Sequence, residues 1–202
     1  IEVSFVEAEI VKLFCNTWRY LQFAIANEFY EICTSKGLDF ERIRHAMMSS
    51  YERMADFPRS GFAAGPCLFK DTMQLASYSR DFFRLGHEAM LTNETMPDFM
   101  VNMAKREMSL RDKTVGVLGM AFKPNNDDVR ESLAYRLKRV LSYEGAKVLC
   151  ADPYVRDPTL VSLEVVLRDS EAIFIGCPHD VYRETVFRKE QRVFDCWGPA
   201  WR

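Results

Sequence analysis

Hydrophobic residues in the first half of the chain recur at the three- and four-residue spacing of amphipathic helices. The longest such stretch begins at Phe5, contains neither proline nor glycine, and ends at Gly37, a residue type that commonly follows a helix C-terminus. Further helices are predicted over 39–48, from about residue 69, and over 95–108. The apolar positions of the first helix cover more than one stripe, so we expect it to be buried on several sides. These positions are Phe5, Leu13, Phe14, Trp18, Leu21, Ile25, Phe29 and Ile32.

The pattern changes at residue 113, where short runs of β-branched residues replace the helical spacing. Strands are predicted over 113–118, 146–151, 171–176 and 192–196, with helices over 131–144 and 160–167 between them. Strands that alternate with helices indicate right-handed crossovers and a parallel sheet. The sequence therefore predicts a multi-domain protein of class α and α/β. An all-α helical domain (1–111) is followed by a Rossmann-like parallel α/β domain (112–202).

The helical half also carries a prediction about assembly. Its first helix is apolar on too many sides to be covered by a lone layer of three or four helices. The helix over 95–108 is rich in methionine, which is typical of a core or of a dimer seam. We therefore expect a homodimer that forms through the helical domain.

Composition excludes several classes of protein. The 202 residues are 48% hydrophobic and 28% charged, with a net charge of −2, so disorder is excluded and neither nucleic acid nor an anionic membrane is expected as a partner. No apolar run reaches the roughly 18 residues of a membrane-spanning helix. The chain opens on Ile1 without a signal-peptide pattern, so we expect a further segment to precede it in the full protein.

The six cysteines include no CxxC pair, and none of the three histidines has zinc-site spacing to a pair of cysteines. A disulfide framework is therefore not expected, and no metal is predicted. Reduced thiols favour a cytoplasmic location. Most of the cysteines are expected to be small buried hydrophobic residues.

The segment 61–71 is the sharpest local cluster. Small residues crowd a turn so that the backbone can approach a ligand closely, and Cys67 follows just before a predicted helix start. The helix dipole and the nearby Lys70 would favour a thiolate there. Local pattern leaves two interpretations open, an activated thiolate or a buried cysteine after an ordinary loop.

A second cluster lies on the first helix, where Lys12 and Asn16 are one turn apart and share a face. Both side chains can donate hydrogen bonds to a developing oxyanion. The alternative is a solvated pair of Glu9 and Lys12 on the helix surface.

A third cluster follows the first predicted strand, where Gly119 suits a turn close to a phosphate. Phe122 stands where a dinucleotide fingerprint has its third glycine, and Asp152 is too far downstream to be the ribose-binding acid. We therefore expect a nucleotide domain that does not hold NAD in the usual way. His179 follows the third predicted strand at the edge where ligands bind, but we expect a surface turn residue.

Four segments, in order along the chain, resemble the UDP-glucose/GDP-mannose dehydrogenase family. They are AEIVKLFCNTWRY (8–20), GFAAGPCLFKD (61–71), VGVLGMAFKPNNDDVRES (115–132) and AIFIGCPHD (172–180). The resemblance implies three domains in the full protein: an N-terminal NAD-binding domain, a helical dimerisation domain, and a C-terminal Rossmann-like domain for the nucleotide sugar. The first of these is absent from this chain, and the other two correspond to 1–111 and 112–202.

The resemblance also implies an activity. In this family the C6 alcohol of the sugar is oxidised twice, with reduction of two NAD⁺, through a thiohemiacetal and a thioester on a cysteine, to give the uronic acid. Carried over to this chain, Cys67 would be the nucleophile, and Lys12 and Asn16 would stabilise the oxyanions. Asp71 would assist proton transfer or position the hydrolytic water.

Substrate contacts are implied in the same way. Lys123 would contact the nucleotide sugar, and Arg53 would reach into the site of a partner subunit, with a gap in the alignment at that point. The loop 57–61 would offer backbone amides to the diphosphate. Its candidate residues are Phe57, Arg59, Ser60 and Gly61.

One departure from the family concerns the substrate. The loop usually reads GFGGSC, whereas here 61–67 has an extra residue and alanines at 63 and 64. UDP-glucose is the expected substrate, with NAD bound mainly by the missing domain. GDP-mannose or a UDP-N-acetylhexosamine remains an alternative, as does a non-catalytic nucleotide-binding and dimerisation module.

Overall fold

The computed structural model describes residues 1–80 and 83–198. The chain divides into two compact units, residues 1–94 and 95–202, and each is described here by itself. Within the described residues, no helix is long and apolar enough to cross a membrane.

The first unit is entirely helical. It contains α1 (Phe5–Ser35), α2 (Phe40–Ser50), a 3-10 turn (Glu52–Met54), α3 (Leu68–Tyr78) and α4 (Arg84–Glu94). The predicted long helix is confirmed at both ends. A capping box between Ser4 and Glu7 starts α1, and Gly37 follows its last turn with φ +67°. Helix α4 was not predicted.

The core of the first unit forms where α1 packs on α3 and α4. Side chains from all three helices and from the loop before α3 meet there. The buried members are Tyr20, Ala24, Ala63, Leu68 and Ala89. Because Ala63 is part of this core, the loop that precedes Cys67 is anchored by packing.

The expectation that α1 is buried on several sides holds only in part for the chain by itself. The helix contributes to two buried clusters, one through Tyr20 and Ala24 and one through Ala26 and Cys33. An apolar stripe between them is exposed, and Trp18 retains 59% of its accessible surface. The exposed residues of this stripe are Phe14, Trp18, Ile25, Phe29 and Ile32. A contiguous apolar stripe that is exposed on a surface commonly marks a site of interaction with another molecule.

The second unit begins with a helix. Its elements are α5 (Met96–Glu107), β1 (Thr114–Leu118), α6 (Leu133–Tyr143), β2 (Lys147–Ala151), α7 (Leu163–Asp169), β3 (Ala172–Ile175), a 3-10 turn (Asp180–Tyr182) and β4 (Arg192–Phe194). Helix α5 packs on α6 and buries Met96 and Met100, so this methionine-rich helix contributes to a core. The structure thus groups α5 with the sheet, whereas the sequence places it with the helices; the domain boundary at 111 itself stays a prediction.

All four strands are parallel, in the order β2-β1-β3-β4. This confirms the predicted helical domain followed by a parallel α/β domain. Every residue of β3 is buried, as expected for a strand covered on both faces. The start of α6 lies two residues later than predicted, because Ser132 is its cap and Glu131 has a φ of +53°, outside helical geometry.

The strand order reverses beside β1, since its two neighbours β2 and β3 lie on opposite sides. In open α/β sheets, ligands bind outside the carboxyl ends of the strands at such a point. The loops that follow β1, β2 and β3 therefore form the ligand edge of this unit.

Candidate active site and ligand loops

Asp71 is the centre of the site in the first unit. It lies in the first turn of α3, and its side chain is fully buried. Its Oδ2 accepts hydrogen bonds from Lys12 Nζ at 2.7 Å and from Asn16 Nδ2 at 2.6 Å. The structure therefore brings together three of the four residues to which the sequence assigns catalysis.

The second oxygen of the same carboxylate has a different environment. Asp71 Oδ1 is buried and has no hydrogen-bond partner in the described chain. The ammonium of Lys70 lies 3.5 Å from this oxygen, on a side chain that is 64% exposed, which is too far for a strong hydrogen bond. A buried carboxylate oxygen without a donor is costly, and it is available to a substrate group or a water.

These contacts determine the charges of Asp71 and Lys12. Burial acts to raise the pKa of the Asp71 carboxyl, but the hydrogen bonds from Lys12 and Asn16 outweigh it and hold the pKa below its ordinary value. The pKa of Lys12 is raised, chiefly by its hydrogen bond to Asp71, which outweighs the opposing effect of burial. The site thus holds a carboxylate and an ammonium at neutral pH.

Cys67 is exposed at the N-terminus of α3, where it precedes the first helical residue. Its carbonyl accepts the first helical hydrogen bond, from the N–H of Asp71 at 2.9 Å. The thiol therefore lies one helical turn before the carboxylate that holds Lys12 and Asn16. The buried-cysteine interpretation is excluded by this exposure.

The other cysteines follow the expectation with one exception. All six are thiols rather than members of disulfides, and Cys33, Cys150, Cys177 and Cys196 are buried. Burial raises the pKa of the Cys150 thiol to about 11 and raises that of Cys177 further. Cys15, however, is exposed, so burial does not protect it as its place on α1 had suggested.

The loop 57–61 is held by two residues that sequence reasoning missed. Arg44 of α2 donates to the carbonyls of Phe57, at 2.8 Å, and Pro58, at 3.0 Å. Asn27 of α1 is fully buried and accepts from the N–H of Gly61 at 2.9 Å. From the sequence, the role of Asn27 in holding this loop could have been suspected only because a polar residue stands at a core position of a long helix.

These contacts limit which amides the loop can offer. The N–H of Phe57 is donated to Met54 at 3.0 Å, that of Gly61 is donated to Asn27, and Pro58 has none. A diphosphate contact through Arg59 or Ser60 stays a prediction. The Arg59 side chain is half exposed, 3.7 Å from Glu41.

Arg53 lies in the 3-10 turn Glu52–Met54 and is exposed. The structure does not bring it to Asp71 by any described contact. Its expected role at the site of a partner subunit stays a prediction.

In the second unit, Lys123 is exposed in the loop after β1, with its ammonium 5.4 Å from the centre of the Phe122 ring. An exposed cation at the carboxyl edge of a parallel sheet suits contact with an anionic ligand. This placement agrees with the expected contact to a nucleotide sugar, which stays a prediction.

Asp152, which follows β2, accepts five hydrogen bonds between 2.6 and 3.1 Å. The donors are the N–H groups of Met120, Ala121, Tyr154 and Val155 and the imidazole of His179. Burial acts to raise the pKa of this carboxyl, but the hydrogen bonds prevail and lower it to about 2. The expectation that His179 is a surface turn residue is wrong, because it is fully buried.

The turn after β1 does not fit the pyrophosphate of NAD. Its amides at Met120 and Ala121 are the groups that would face such a phosphate, and Asp152 Oδ2 already accepts from both. Gly119 also packs so closely on the backbone of Cys177 that no side chain fits between them.

Among the described residues, no group of three metal-ligating side chains is present.

Comparison with known proteins agrees with both units. Residues 6–95 match the central domain of the UDP-glucose/GDP-mannose dehydrogenase family, and residues 116–199 match its UDP binding domain. A UDP-N-acetyl-D-mannosamine dehydrogenase from Pyrococcus horikoshii is 32% identical over 87% of this chain and 43% of its own length. A UDP-glucose 6-dehydrogenase from Haloferax volcanii is 30% identical over 76% of this chain and 36% of its own length.

A solved structure shows the same fold. The UDP-glucose dehydrogenase of Pyrobaculum islandicum superposes with a TM-score of 0.84 at 29% identity, over 95% of this chain and 48% of that one. The chain thus spans less than half the length of these three relatives. With two of that family's domains matched in order, this chain belongs to the UDP-glucose/GDP-mannose dehydrogenase family.

Proposed function

We propose that this chain supplies the thiol and the sugar-nucleotide contacts of an NAD-dependent dehydrogenase that oxidises the C6 alcohol of UDP-glucose twice, to the uronic acid. The observation that carries this proposal is the buried Asp71, which holds Lys12 and Asn16 one turn from an exposed Cys67. Glu41 Oε1 is also buried without a hydrogen-bond partner among the described residues, so the unpaired Oδ1 of Asp71 supports catalysis through its combination with Lys12, Asn16 and the thiol one turn away.

The chemistry assigns each of these residues a step. The Cys67 thiolate adds to the C6 aldehyde, and the resulting oxyanion is stabilised by N–H groups of Lys12 and Asn16 that Asp71 does not use. NAD⁺, held outside this chain, would supply the hydride acceptor for both oxidations, of the alcohol to the aldehyde and of the thiohemiacetal to the thioester. Water then attacks the thioester and releases the acid and the thiol.

Asp71 acts in the last of these steps. Because its pKa is lowered, it is an anion that accepts hydrogen bonds rather than an acid that donates a proton. Its unpaired Oδ1 is therefore suited to orient the attacking water and to accept its proton as the thioester opens.

A second substrate is favoured by a specific observation. Relatives that are 32% and 33% identical to this chain are UDP-N-acetyl-D-mannosamine dehydrogenases, from Pyrococcus horikoshii and Methanocaldococcus jannaschii. UDP-N-acetyl-D-mannosamine is therefore the second candidate, and the loop 61–67, which differs from the family pattern, is where the two sugars would be distinguished.

The reaction is tested with the full protein that carries an NAD-binding domain. Release of NADH and uronic acid is measured with UDP-glucose and with UDP-N-acetyl-D-mannosamine, for the wild type, Cys67→Ala and Cys15→Ala. We expect one sugar to be oxidised, Cys67→Ala to bind it but form no acid, and Cys15→Ala, as the matched exposed thiol, to turn over. Acid formation by Cys67→Ala would refute the covalent mechanism.

This chain alone is proposed to bind uridine nucleotides but not NAD⁺. The closed turn after β1, with its amides taken by Asp152, is the reason. Calorimetry with UDP and with NAD⁺ measures both affinities, and tight binding of NAD⁺ would contradict the assignment of the second unit.

We also propose that the exposed apolar stripe of α1 pairs with a second copy of the chain. Light scattering is expected to give twice the mass of one chain for the wild type and the mass of one chain for Trp18→Glu combined with Ile25→Glu. Tyr143→Glu, at a position that is 90% exposed on α6, is the matched control and should stay dimeric. A monomeric wild type at micromolar concentration would overturn this proposal.

A further inference from the structure

Lys123 lies between two anchors of its loop. Two residues before it, the N–H of Ala121 is held by Asp152 at 3.1 Å. Two residues after it, the N–H of Asn125 donates to His179 Nδ1 at 2.8 Å. The anchors themselves are joined, because His179 Nε2 lies 2.9 Å from Asp152 Oδ2.

The direction of these hydrogen bonds fixes the state of the imidazole. Since Nδ1 accepts from the backbone of Asn125, it carries no proton, and Nε2 must be the protonated nitrogen that donates to Asp152. The imidazole is thus held in one orientation, with Nδ1 toward Asn125 and Nε2 toward Asp152. It has a donor and an acceptor, and both are used within the unit.

A third contact locks the end of the loop. Asn125 has a φ of +55°, a left-handed conformation that asparagine tolerates. Its side chain donates to Asp180 Oδ2 at 2.6 Å and accepts from the N–H of Asp180 at 3.0 Å. The backbone geometry on the far side of Lys123 is therefore set by the segment that follows β3.

Burial makes the pair rigid. The side chains of Asp152 and His179 are both fully buried, and the rings of Tyr154 and Tyr182 lie 5.0 and 5.5 Å from the imidazole. Breaking any link would leave a buried polar group unpaired. One side chain after β2 and one after β3 thus determine where the loop after β1 can lie.

We propose that Asp152 and His179 form a positioning pair, which ties the carboxyl ends of β1, β2 and β3 together and presents Lys123 to the nucleotide sugar. The inference rests on the proposed function, in which Lys123 contacts that ligand. Neither residue of the pair touches the ligand; both act through the loop.

Two variants of His179 separate its two hydrogen bonds. An asparagine oxygen reaches the place of Nδ1, so His179→Asn can still accept from Asn125. A glutamine nitrogen reaches the place of Nε2, so His179→Gln keeps only the bond to Asp152. His87→Gln, at an exposed position of α4, is the control for an ordinary change of the same type.

UDP affinity is measured by calorimetry on the full 202-residue chain, together with hydrogen exchange at the amide of Asn125. We expect His179→Gln to weaken UDP binding about tenfold, as for one lost hydrogen bond, and to speed exchange at Asn125. His179→Asn, which keeps the bond to Asn125 and loses the one to Asp152, should lose less of both than His179→Gln does, and His87→Gln should match the wild type. Wild-type affinity in His179→Gln, or equal losses in both His179 variants, would overturn the positioning pair.

A double-mutant cycle with Lys123→Ala separates positioning from general stability. If His179 acts through Lys123, His179→Gln should cost little further affinity once Lys123 is removed. Additive losses would overturn the proposal while leaving UDP binding by the unit intact. A wild-type chain that does not bind UDP would instead overturn the proposed function, and the positioning role with it.

Discussion

Two aspartates, one in each unit, have fully buried side chains and lowered pKa values, yet their surroundings differ. Asp152 uses both oxygens, which together accept five hydrogen bonds. Asp71 uses only Oδ2, and its Oδ1 is buried without a hydrogen-bond partner in the described chain. The Asp152 carboxylate is fully used in holding loops of its own unit, whereas the Asp71 carboxylate keeps one acceptor oxygen that no described residue uses.

The difference shows how burial of a charge can be read. A buried charge costs several kcal/mol unless it is paired and hydrogen-bonded, so a fully satisfied carboxylate such as Asp152 is explained by the structure it holds. For Asp71 part of that cost is not offset, because one carboxylate oxygen has no described hydrogen bond, and this carboxylate lies one helical turn from an exposed thiol. Incomplete satisfaction, rather than burial or a shifted pKa, is what separates the proposed catalytic carboxylate from the positioning one.

The largest expected effect is on turnover. In the full protein, Asp71→Asn should lower kcat roughly a hundredfold to a thousandfold, because an amide cannot accept the proton of water. Its oxygen can still accept from Lys12 and Asn16, with the amide nitrogen at the empty Oδ1 position, so unfolding free energy should fall by less than about 1 kcal/mol. Steady-state kinetics and urea unfolding measure the two effects, and a variant that turns over normally would remove Asp71 from the mechanism.

Asp152→Asn should have the opposite profile. Both oxygens of Asp152 face only donors, so an amide nitrogen in either place meets a donor and breaks a buried network. We expect a loss of about 3 kcal/mol in the unfolding free energy of the second unit. Urea unfolding, monitored by hydrogen exchange in this unit, measures the loss. An unfolding free energy equal to that of Asp71→Asn would contradict the proposed difference between the two aspartates.

Acid should weaken the second unit through the same residue. The pKa of Asp152 is about 2 in the folded state, against an ordinary 3.8. Because the folded value is the lower one, its contribution of about 2 kcal/mol is fully present above pH 4 and is lost as the pH falls through about 2. Unfolding free energy measured between pH 5 and pH 2 should show this loss in the wild type, and an equal loss in Asp152→Asn would assign it to other groups.

The smallest effect concerns Lys70. Its ammonium is 3.5 Å from Asp71 Oδ1 on a largely exposed side chain, so Lys70→Ala should change the unfolding free energy by less than about 0.5 kcal/mol. A larger loss in urea unfolding would show that Lys70 satisfies Oδ1 after all. Lys189→Ala, at an exposed position before β4, is the control for removing a lysine.

Sequence predicted much of this molecule because the signals were local. Three predictions follow from spacing and residue type: the run of α1 that ends at Gly37, the alternation of strands and helices after residue 113, and the placement of Cys67 before a helix. Lys12 and Asn16 were predicted to share a face from their separation alone. Helix α4 and the cap of α6 at Ser132 were missed or misplaced, since packing and a left-handed Glu131 decide them.

The sequence by itself predicted the order of all the helices and strands except α4, the family, and the four residues of the proposed reaction, because periodicity and motif are properties of neighbours along a chain. The tertiary structure decided which polar groups are satisfied. That Asn27 holds Gly61, that His179 is buried against Asp152, and that the apolar stripe of α1 is exposed depend on contacts between segments far apart in sequence. Hydrogen bonds and burial depend on which distant segments the fold brings together, and residue spacing along the chain does not contain that information.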